Sequence, residues 1–425
     1  MKYKLSLFNM TIKEMSDGVY YYNTLSKAIL LLSREIVDKL SSGKINELSE
    51  SIQIKLFQNG YLVKEDLDEL SILQNAYQKS HSQSNFVSIV LVPTFACNFS
   101  CNYCFEGEKP LFSGQEIENY FQSLKEFARK EFVSKNHVHL SMFGGEPLLA
   151  YDYFKDFFIY LSNLSKEFGF QYSSSLTTNG YLLTEAMASE MLTLFNLESV
   201  QITLDGNEAT HNSVRTPKNG EKTFFDIISN FKKLLHLVEL CGSKCDIKLR
   251  INLINNTLED IAQTLNLFSE KDKKLFSIYF RPVYNTKFFN VENENKSNLK
   301  DFYHLANQKG FRFTFGDAIK FSHCEGDGGI DQFFIIPDLT VWKCINDFSE
   351  VRAKIGHIGL DGTFYIDRDS LSHWTKNNPF NSPTCKSCKW LPICWGGCPL
   401  QYSKSKSHIC MYEKAYNLID TILLN

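Results

Sequence analysis

From residue 86 onward the chain switches repeatedly between two hydrophobic periods. Short apolar or alternating runs predict strands at Phe86–Val92, His137–Phe143, Gln171–Thr177, Ser199–Leu204, Asp246–Leu253 and Leu275–Arg281. Longer stretches with helical spacing fill the intervals at 115–134, 151–168, 184–195, 224–240 and 257–268. Strand and helix in strict succession predict parallel strands with right-handed crossovers, an α/β fold built as an open, partial (β/α)6 TIM-like barrel. Functional side chains of such a barrel gather at the carboxyl ends of its strands. The first eighty residues pattern differently. Strands at Lys4–Phe8 and Gly18–Tyr22, helices at Leu25–Leu40 and Ile45–Asn59, and an extended Gly60–Lys64 predict a small α+β module with a winged-helix outline. His81-Ser-Gln-Ser-Asn85 reads as a linker, so three segments are expected: 1–85, 86–315 and a cysteine-rich 316–425.

Composition narrows the class. With 425 residues, 43% hydrophobic and 14% aromatic, the chain can bury two or three sizeable cores. A formal charge of −3 without a dense basic tract gives no pull toward nucleic acid. The amino terminus lacks a signal peptide's apolar core, and no run of about 18 apolar residues occurs, so a cytoplasmic protein without a membrane partner is expected. In a long intracellular chain, twelve cysteines at two- and three-residue spacings read as metal ligands rather than disulfides.

Three of them, Cys97, Cys101 and Cys104, follow the first barrel strand in Thr94-Phe-Ala-Cys-Asn-Phe-Ser-Cys-Asn-Tyr-Cys-Phe105. Soft thiolates on one loop suit iron–sulfur or zinc chemistry, and three of them leave one iron of a cubane open to a small molecule. A zinc knuckle is the competing reading. The Cys-x3-Cys-x2-Cys spacing, with Tyr103 before the last cysteine, resembles the radical S-adenosylmethionine (SAM) superfamily. That resemblance implies a 4Fe–4S cluster on Cys97, Cys101 and Cys104 whose open iron chelates the methionine end of SAM, with Tyr103 beside the cofactor. One β/α unit later stands Phe143-Gly-Gly-Glu-Pro147. Its glycines allow close backbone approach and Glu146 can accept from an ammonium. It resembles the family's SAM-methionine site, which implies roles for Gly144, Gly145, Glu146 and Pro147. Thr177-Thr-Asn-Gly180, Thr203-Leu-Asp-Gly206 and His211-Asn-Ser-Val-Arg215 end later strands. They resemble further family segments, with Thr203 for the usual Ser and Asn212 for the usual Asp, which implies that Thr177, Asn179, Asp205 and Arg215 contact SAM. Strand-end turn residues are the alternative for each. Arg281 is read either as facing substrate or as a structural ion-pair partner.

From Cys324 the chain carries seven more cysteines, at 324, 344, 385, 388, 394, 398 and 410. Local spacing such as Cys385-x2-Cys388-x5-Cys394-x3-Cys398 gathers thiolates at little loop-closure cost, which suits a metal centre, iron–sulfur or zinc. The arrangement resembles a SPASM domain, the auxiliary-cluster extension of peptide- and protein-modifying radical SAM enzymes. It departs from that pattern at Leu339, where the family has glycine. The resemblance implies two auxiliary iron–sulfur clusters: a farther one on Cys385, Cys388, Cys394 and Cys410, and a nearer one on Cys324, Cys344 and Cys398. No cysteine lies between Cys324 and Cys344, so the nearer cluster is expected to keep an open iron for a substrate thiolate or another ligand. Cys241 and Cys245 fit neither pattern and read as structural or free thiols.

The expected enzyme is an oxidoreductase that uses a 5′-deoxyadenosyl radical on a peptide or protein. The first reading is a maturase of a ribosomal precursor peptide with a leader sequence, closing a thioether or carbon–carbon crosslink, with flavodoxin or ferredoxin as reductant. The second is a formylglycine-forming enzyme resembling anaerobic sulfatase maturases. Those usually place an acidic base directly after the second SPASM cysteine, whereas here Cys344 is followed by Ile345, Asn346 and only then Asp347. Asp347 is therefore a candidate base only if its loop turns back. A third reading is a non-catalytic iron–sulfur or zinc protein that binds a peptide. The amino-terminal module either recognises the leader or caps the barrel.

Overall fold

The structure is a computed structural model that describes residues 2–82, 85–104, 114–283, 299–313, 331–344 and 353–405. The chain forms two compact units, one holding the described residues up to Ser82 and from His373, the other those between Asn85 and Ser372.

In the first unit, β1 (Tyr3–Leu5), β2 (Asn9–Glu14), β3 (Val19–Asn23), β4 (Ile29–Leu32) and β5 (Leu62–Lys64) make two small antiparallel sheets, β1 with β5 and β2-β3-β4. Helices cover Arg34–Ser41, Glu50–Gln58 and Glu69–Ser82. The helix expected at Leu25–Leu40 is instead a strand followed by a shorter helix. Asn23 Oδ1 accepts from the Leu25 and Ser26 amides and Lys27 takes a φ of 62°, which turns the chain so that Ile29–Leu32 pairs with β3. Ser33 then caps the helix by accepting from the Ile36 amide. The hairpin is β2–β3, Met10 opposite Tyr22, and the first strand goes to β5.

The carboxyl-terminal cysteine segment shares this unit's core. Met10, Tyr22, Trp390 and Ile393 form one buried cluster with Cys388 and Cys394 against it; Phe8, Leu73, Tyr77, Phe380, Leu391 and Trp395 form another beside Cys385. Tyr77 stacks on Trp395 at 5.6 Å and its hydroxyl donates to the Asn377 carbonyl at 2.9 Å. Burying each such aromatic contributes about 1.5–3 kcal/mol.

The second unit holds β6 (Phe86–Leu91), β7 (His137–Met142), β8 (Gln171–Thr178), β9 (Leu197–Leu204), β10 (Asp246–Leu253), β11 (Phe276–Pro282), β12 (Arg312–Phe313), β13 (Gln332–Ile335), β14 (Thr340–Trp342), β15 (Lys354–Ile358) and β16 (Phe364–Ile366). They form one sheet in the order β12-β11-β10-β9-β8-β7-β6-β13-β14-β15-β16. β6 to β12 are parallel and sequential, which with right-handed crossovers puts the helices on one face and defines a barrel segment. β13 adds in parallel to β6 and opens an antiparallel β13–β16 extension. Each strand shows why one face is covered: Val138, Leu140 and Met142 are buried, as are Phe121, Leu124, Phe154 and Phe158 of the helices Gly114–Glu131 and Tyr151–Phe168. The other face carries His137, His139, Ser141, Ser175, Lys248 and Arg250 between the apolar positions. No described helix is long and apolar enough to cross a membrane.

Candidate active site

The loops after β6, β7 and β8 are tied to one another by backbone. The Gly145 amide donates to the Thr94 carbonyl at 3.1 Å and the Glu146 amide to the Ala96 carbonyl at 2.9 Å. A Cβ on Gly145 would stand 2.3 Å from the Ala96 oxygen, and Gly144 takes a φ of 145° with the Thr94 oxygen 2.5 Å from its Cβ position. Both positions therefore require glycine, and the backbone they approach is the strand exit that leads into Cys97. Pro147 opens a 3-10 turn capped by Glu146. The Glu146 carboxylate is fully buried and accepts from the Leu148 amide (3.1 Å), the Thr178 hydroxyl (2.6 Å) and the Asn179 amide (2.8 Å). Burial raises its pKa while these donors pull it back. Of about four lone-pair positions on a carboxylate, three are taken, which leaves Glu146 room for a further donor.

The cysteine loop is strapped from the other side by the segment after Arg215. Ser100 donates to the Thr216 carbonyl at 2.8 Å and Lys218 to that of Asn98 at 3.1 Å. Cys97 Sγ accepts from the Phe99 amide at 3.4 Å and from Asn179 Nδ2 at 3.9 Å, and Asn179 also donates to Asn98 at 2.7 Å. Such N–H···S contacts are the kind that set the potential of a thiolate-bound cluster. Burial pushes the Cys97 thiol up to about 12 and that of Cys101 to about 11. Without metal both are neutral thiols; only a bound electrophile holds them as thiolates.

Tyr103 joins this loop to the ends of β9 and β10. Its hydroxyl donates to Asp205 Oδ2 and accepts from Arg215 Nη1 at 2.8 Å and Asn252 Nδ2 at 3.1 Å. Asp205 is fully buried, Arg215 lies 3.8 Å from its Oδ1, and the Arg215 guanidinium sits 5.6 Å from the Phe99 ring centre. Burial raises the Asp205 pKa and Arg215 opposes it. Asp205 Oδ1 and Arg215 Nε have no hydrogen-bond partner, so a charged pair is held ready with unsaturated polar atoms. His211 beneath it accepts from the Asp205 amide at 3.4 Å, and burial lowers its pKa to about 3.

Cys97, Cys101, Cys104, Tyr103, Gly144, Gly145, Glu146, Pro147, Thr177, Asn179, Asp205 and Arg215 thus all lie on the loops and strand ends of one edge of the parallel sheet. Asn252 and Arg250, which donates to Asn252 at 2.8 Å, belong to the same network and escaped the sequence reading. The alternation Lys248, Arg250, Asn252 within an otherwise apolar strand was their signal. Asn212 accepts from the Thr223 and Phe224 amides at the start of the helix Phe224–Leu240. Arg281 is exposed and reaches the Tyr279 hydroxyl at 3.4 Å.

Among the cysteines of the third segment, Cys344 follows β14, Cys385 and Cys394 lie on short helices, Cys388 lies between them, and Cys398 follows Trp395, Gly396 and Gly397, all at positive φ. Cys324, Cys410 and Asp347 lie outside the described residues. No disulfide joins the described cysteines. No three described His, Cys, Asp or Glu side chains converge as one zinc ion requires. Three soft thiols on one loop, with N–H donors on the Cys97 sulfur, are the donor set that an iron–sulfur cluster takes. Leu339 takes a φ of 61° in the β13–β14 turn, the conformation a glycine adopts without strain. Cys241 is exposed after a helix; Cys245 is buried, its thiol pushed up to about 12.

The site is thus a cysteine loop at the carboxyl edge of a singly wound parallel sheet. Residues 91–275 match the Radical SAM superfamily, and the chain carries a radical SAM domain, the cofactors of which are SAM and a 4Fe–4S cluster. The chain is 26% identical over 348 residues to a cysteine-type anaerobic sulfatase-maturating enzyme of Clostridium perfringens, covering 73% of this chain and 88% of that protein. It is 22% identical over 442 residues to the radical SAM cyclopropyl synthase TigE of Paramaledivibacter caminithermalis, covering 94% and 87%. The fold resembles a solved structure of anSMEcpe with bound AdoMet and a peptide, with a TM-score of 0.57 and 19% identity over 80% of this chain and 98% of that one.

Proposed function

We propose that the protein is a radical SAM/SPASM maturase that installs an oxidative crosslink, thioether or carbon–carbon, in a ribosomal precursor peptide. The observation that carries this reading is Ile345 directly after Cys344, where a formylglycine-forming relative would place its acidic base. The similarity to a cyclopropyl synthase along 94% of the chain, amino-terminal module included, supports it.

When bound, SAM on its cluster supplies a 5′-deoxyadenosyl radical, and the auxiliary clusters accept an electron. The protein's residues position and protect. Cys97, Cys101 and Cys104 hold the cluster, with Asn179 and the Phe99 amide on the Cys97 sulfur. Glu146 and the Gly144-Gly145 backbone hold the methionine amino group, and Arg215, kept charged by Asp205, takes its carboxylate. Tyr103 fixes the loop against Asp205 and Asn252. The cysteines from 324 to 410 hold the auxiliary clusters, and the module at 1–82, which shares a core with Trp390 and Ile393, presents the leader. A flavodoxin or ferredoxin delivers the starting electron.

The test is anaerobic mass spectrometry of reconstituted protein with SAM, reductant and short open reading frames flanking its gene, made as peptides. Loss of two hydrogens from the peptide, with one 5′-deoxyadenosine formed, is expected. Identity to the Clostridium perfringens maturase favours a second reading, formylglycine formation, and a sulfatase-type cysteine peptide run in parallel discriminates. Conversion of that peptide alone would overturn crosslinking. Absence of 5′-deoxyadenosine with every peptide would leave the non-catalytic reading.

A further inference from the structure

On the uncovered face of β7 and β8, register pairs His139 with Ser173 and Ser141 with Ser175. His137 Nε2 lies 2.9 Å from Ser173 Oγ, and His139 Nδ1 lies 2.9 Å from the same oxygen. His139 Nε2 lies 3.2 Å from Ser175 Oγ, and the Ser175 hydroxyl donates to Ser141 Oγ at 2.8 Å. A hydroxyl has one proton to give, and a neutral imidazole has one donor and one acceptor. The last bond therefore fixes the others. Ser175, committed to Ser141, accepts from His139 Nε2–H; His139 Nδ1 accepts from Ser173, and Ser173 accepts from His137. Ser173, His139 and Ser175 each donate once and accept once along an unbroken line.

The line is directed along the barrel. From residue 137 to 141 a strand advances about 13 Å toward the carboxyl edge, where the cysteine loop lies. Thr177 is the next residue of β8 on the same face, two before Asn179. At the amino end, the Glu198 carboxylate, 62% exposed, stands 4.0 Å from His139 Nδ1. Burial lowers the His139 pKa, Glu198 on β9 opposes this, and His137 adds to it; Ser173 and Ser175 face it uncharged. An imidazole held neutral between two hydroxyls can pass a proton without keeping it.

We propose that His137, Ser173, His139, Ser175 and Ser141 form a proton ladder between solvent at the amino ends of the strands and the region under the active site, carrying away the proton released as the peptide is oxidised. The proposal rests on the crosslinking reading. Closing such a bond breaks one C–H and one S–H or second C–H, and forms one C–S or C–C. The hydrogen atom goes to the 5′-deoxyadenosyl carbon, one electron to an oxidised auxiliary iron–sulfur cluster, and one proton is left to be carried away. Turning the three hydroxyls and moving the ring protons of His139 and His137 from Nε2 to Nδ1 reverses every bond, so the ladder also conducts outward, His137 Nε2 taking the last proton as its Nδ1 proton leaves to solvent.

Ser175→Ala cuts the ladder between His139 and Ser141, and Ser175→Thr keeps the hydroxyl. In the reconstituted holoenzyme with SAM, dithionite and the peptide found to be converted, Ser175→Ala is expected to lower peptide product per 5′-deoxyadenosine about 100-fold. It should also change the solvent deuterium isotope effect on product formation, and Ser175→Thr should restore both. A second readout needs no turnover. Histidine ring 15N NMR, with the His139 signal assigned by its loss in His139→Gln, should show the neutral Nε2–H tautomer in the wild type and a tautomer mixture in Ser175→Ala. Wild-type product ratios and isotope effects in Ser175→Ala overturn the ladder, as does a wild-type His139 charged at pH 7. If Ser175→Ala does not fold, Ser141→Ala removes the last rung and is read the same way. A wild type that cleaves SAM but leaves the peptide unchanged defeats the crosslinking reading instead, and the tautomer measurement then decides whether the aligned ladder exists.

Discussion

The two places where cysteines gather are built on opposite plans. Around Cys97, Cys101 and Cys104 the described loops are tied to one another: Glu146 takes three donors, Tyr103 is gripped by Asp205, Arg215 and Asn252, and the Gly144-Gly145 backbone docks on residues 94–96. Around Cys385, Cys388, Cys394 and Cys398 the helices have four, four and seven residues, and Cys385, Cys388 and Cys394 pack against the apolar side chains. Helices that short are not stable alone. The first region is framed by its own hydrogen bonds; the second is framed by packing on the amino-terminal module, and a bound metal is expected to add to it.

The sharpest attack on this contrast is Gly145→Ala. Its Cβ would meet backbone oxygens at 2.3 and 2.4 Å, which cannot swing aside as a side chain can. A loss of about 3 kcal/mol or more is expected, together with loss of SAM cleavage, in urea titration and 5′-deoxyadenosine assays. An unchanged midpoint would break the claim that loop docking builds the site. Stripping the metals should act on the other region: limited proteolysis of chelated protein is expected to cut within 383–405 while the barrel's unfolding midpoint stays put. Cleavage in 94–104 first would reverse the comparison.

A smaller effect comes from His211. Above about pH 6.5 its imidazole is neutral folded or unfolded; below, the unfolded chain takes up a proton that the fold refuses until about 3. Stability should therefore fall with pH across that window, by about 2 kcal/mol at pH 5, and His211→Gln should flatten the slope. Tyr103→Phe is expected to cost about 1–2 kcal/mol and to weaken SAM binding while iron content persists, measured by titration calorimetry and metal analysis. Least of all, Leu339→Gly relieves a left-handed φ of 61° but removes a buried side chain, so its midpoint should shift by no more than about 1 kcal/mol.

The barrel was legible because each of its strands runs beside its sequence neighbours, so local period and global topology agree; β10 spans the expected Asp246–Leu253. The amino-terminal part was less so. β2 has only Met10 and Ile12 as apolar positions, with a register shift between Thr11 and Lys13, and the helix Glu69–Ser82 draws its packing from Phe380 and Trp395, some three hundred residues away. In the site, the contiguous motifs announced their cysteines and glycines. Asn252, Arg250 and the His–Ser ladder did not, because a polar residue on a strand looks the same in sequence whether it meets solvent or a ring of partners.

The packing of Tyr22 on Trp390, with ring centres 6.4 Å apart, bears on how such a protein can be reshaped by recombination. Segments some three hundred residues apart meet in one core, so a crossover that exchanged residues 2–82 for those of a relative would have to bring matching residues at 390, 393 and 395, or yield a chain whose distal cysteines lose their packing. The two segments are bound to vary as a pair, each constrained by the other's side chains.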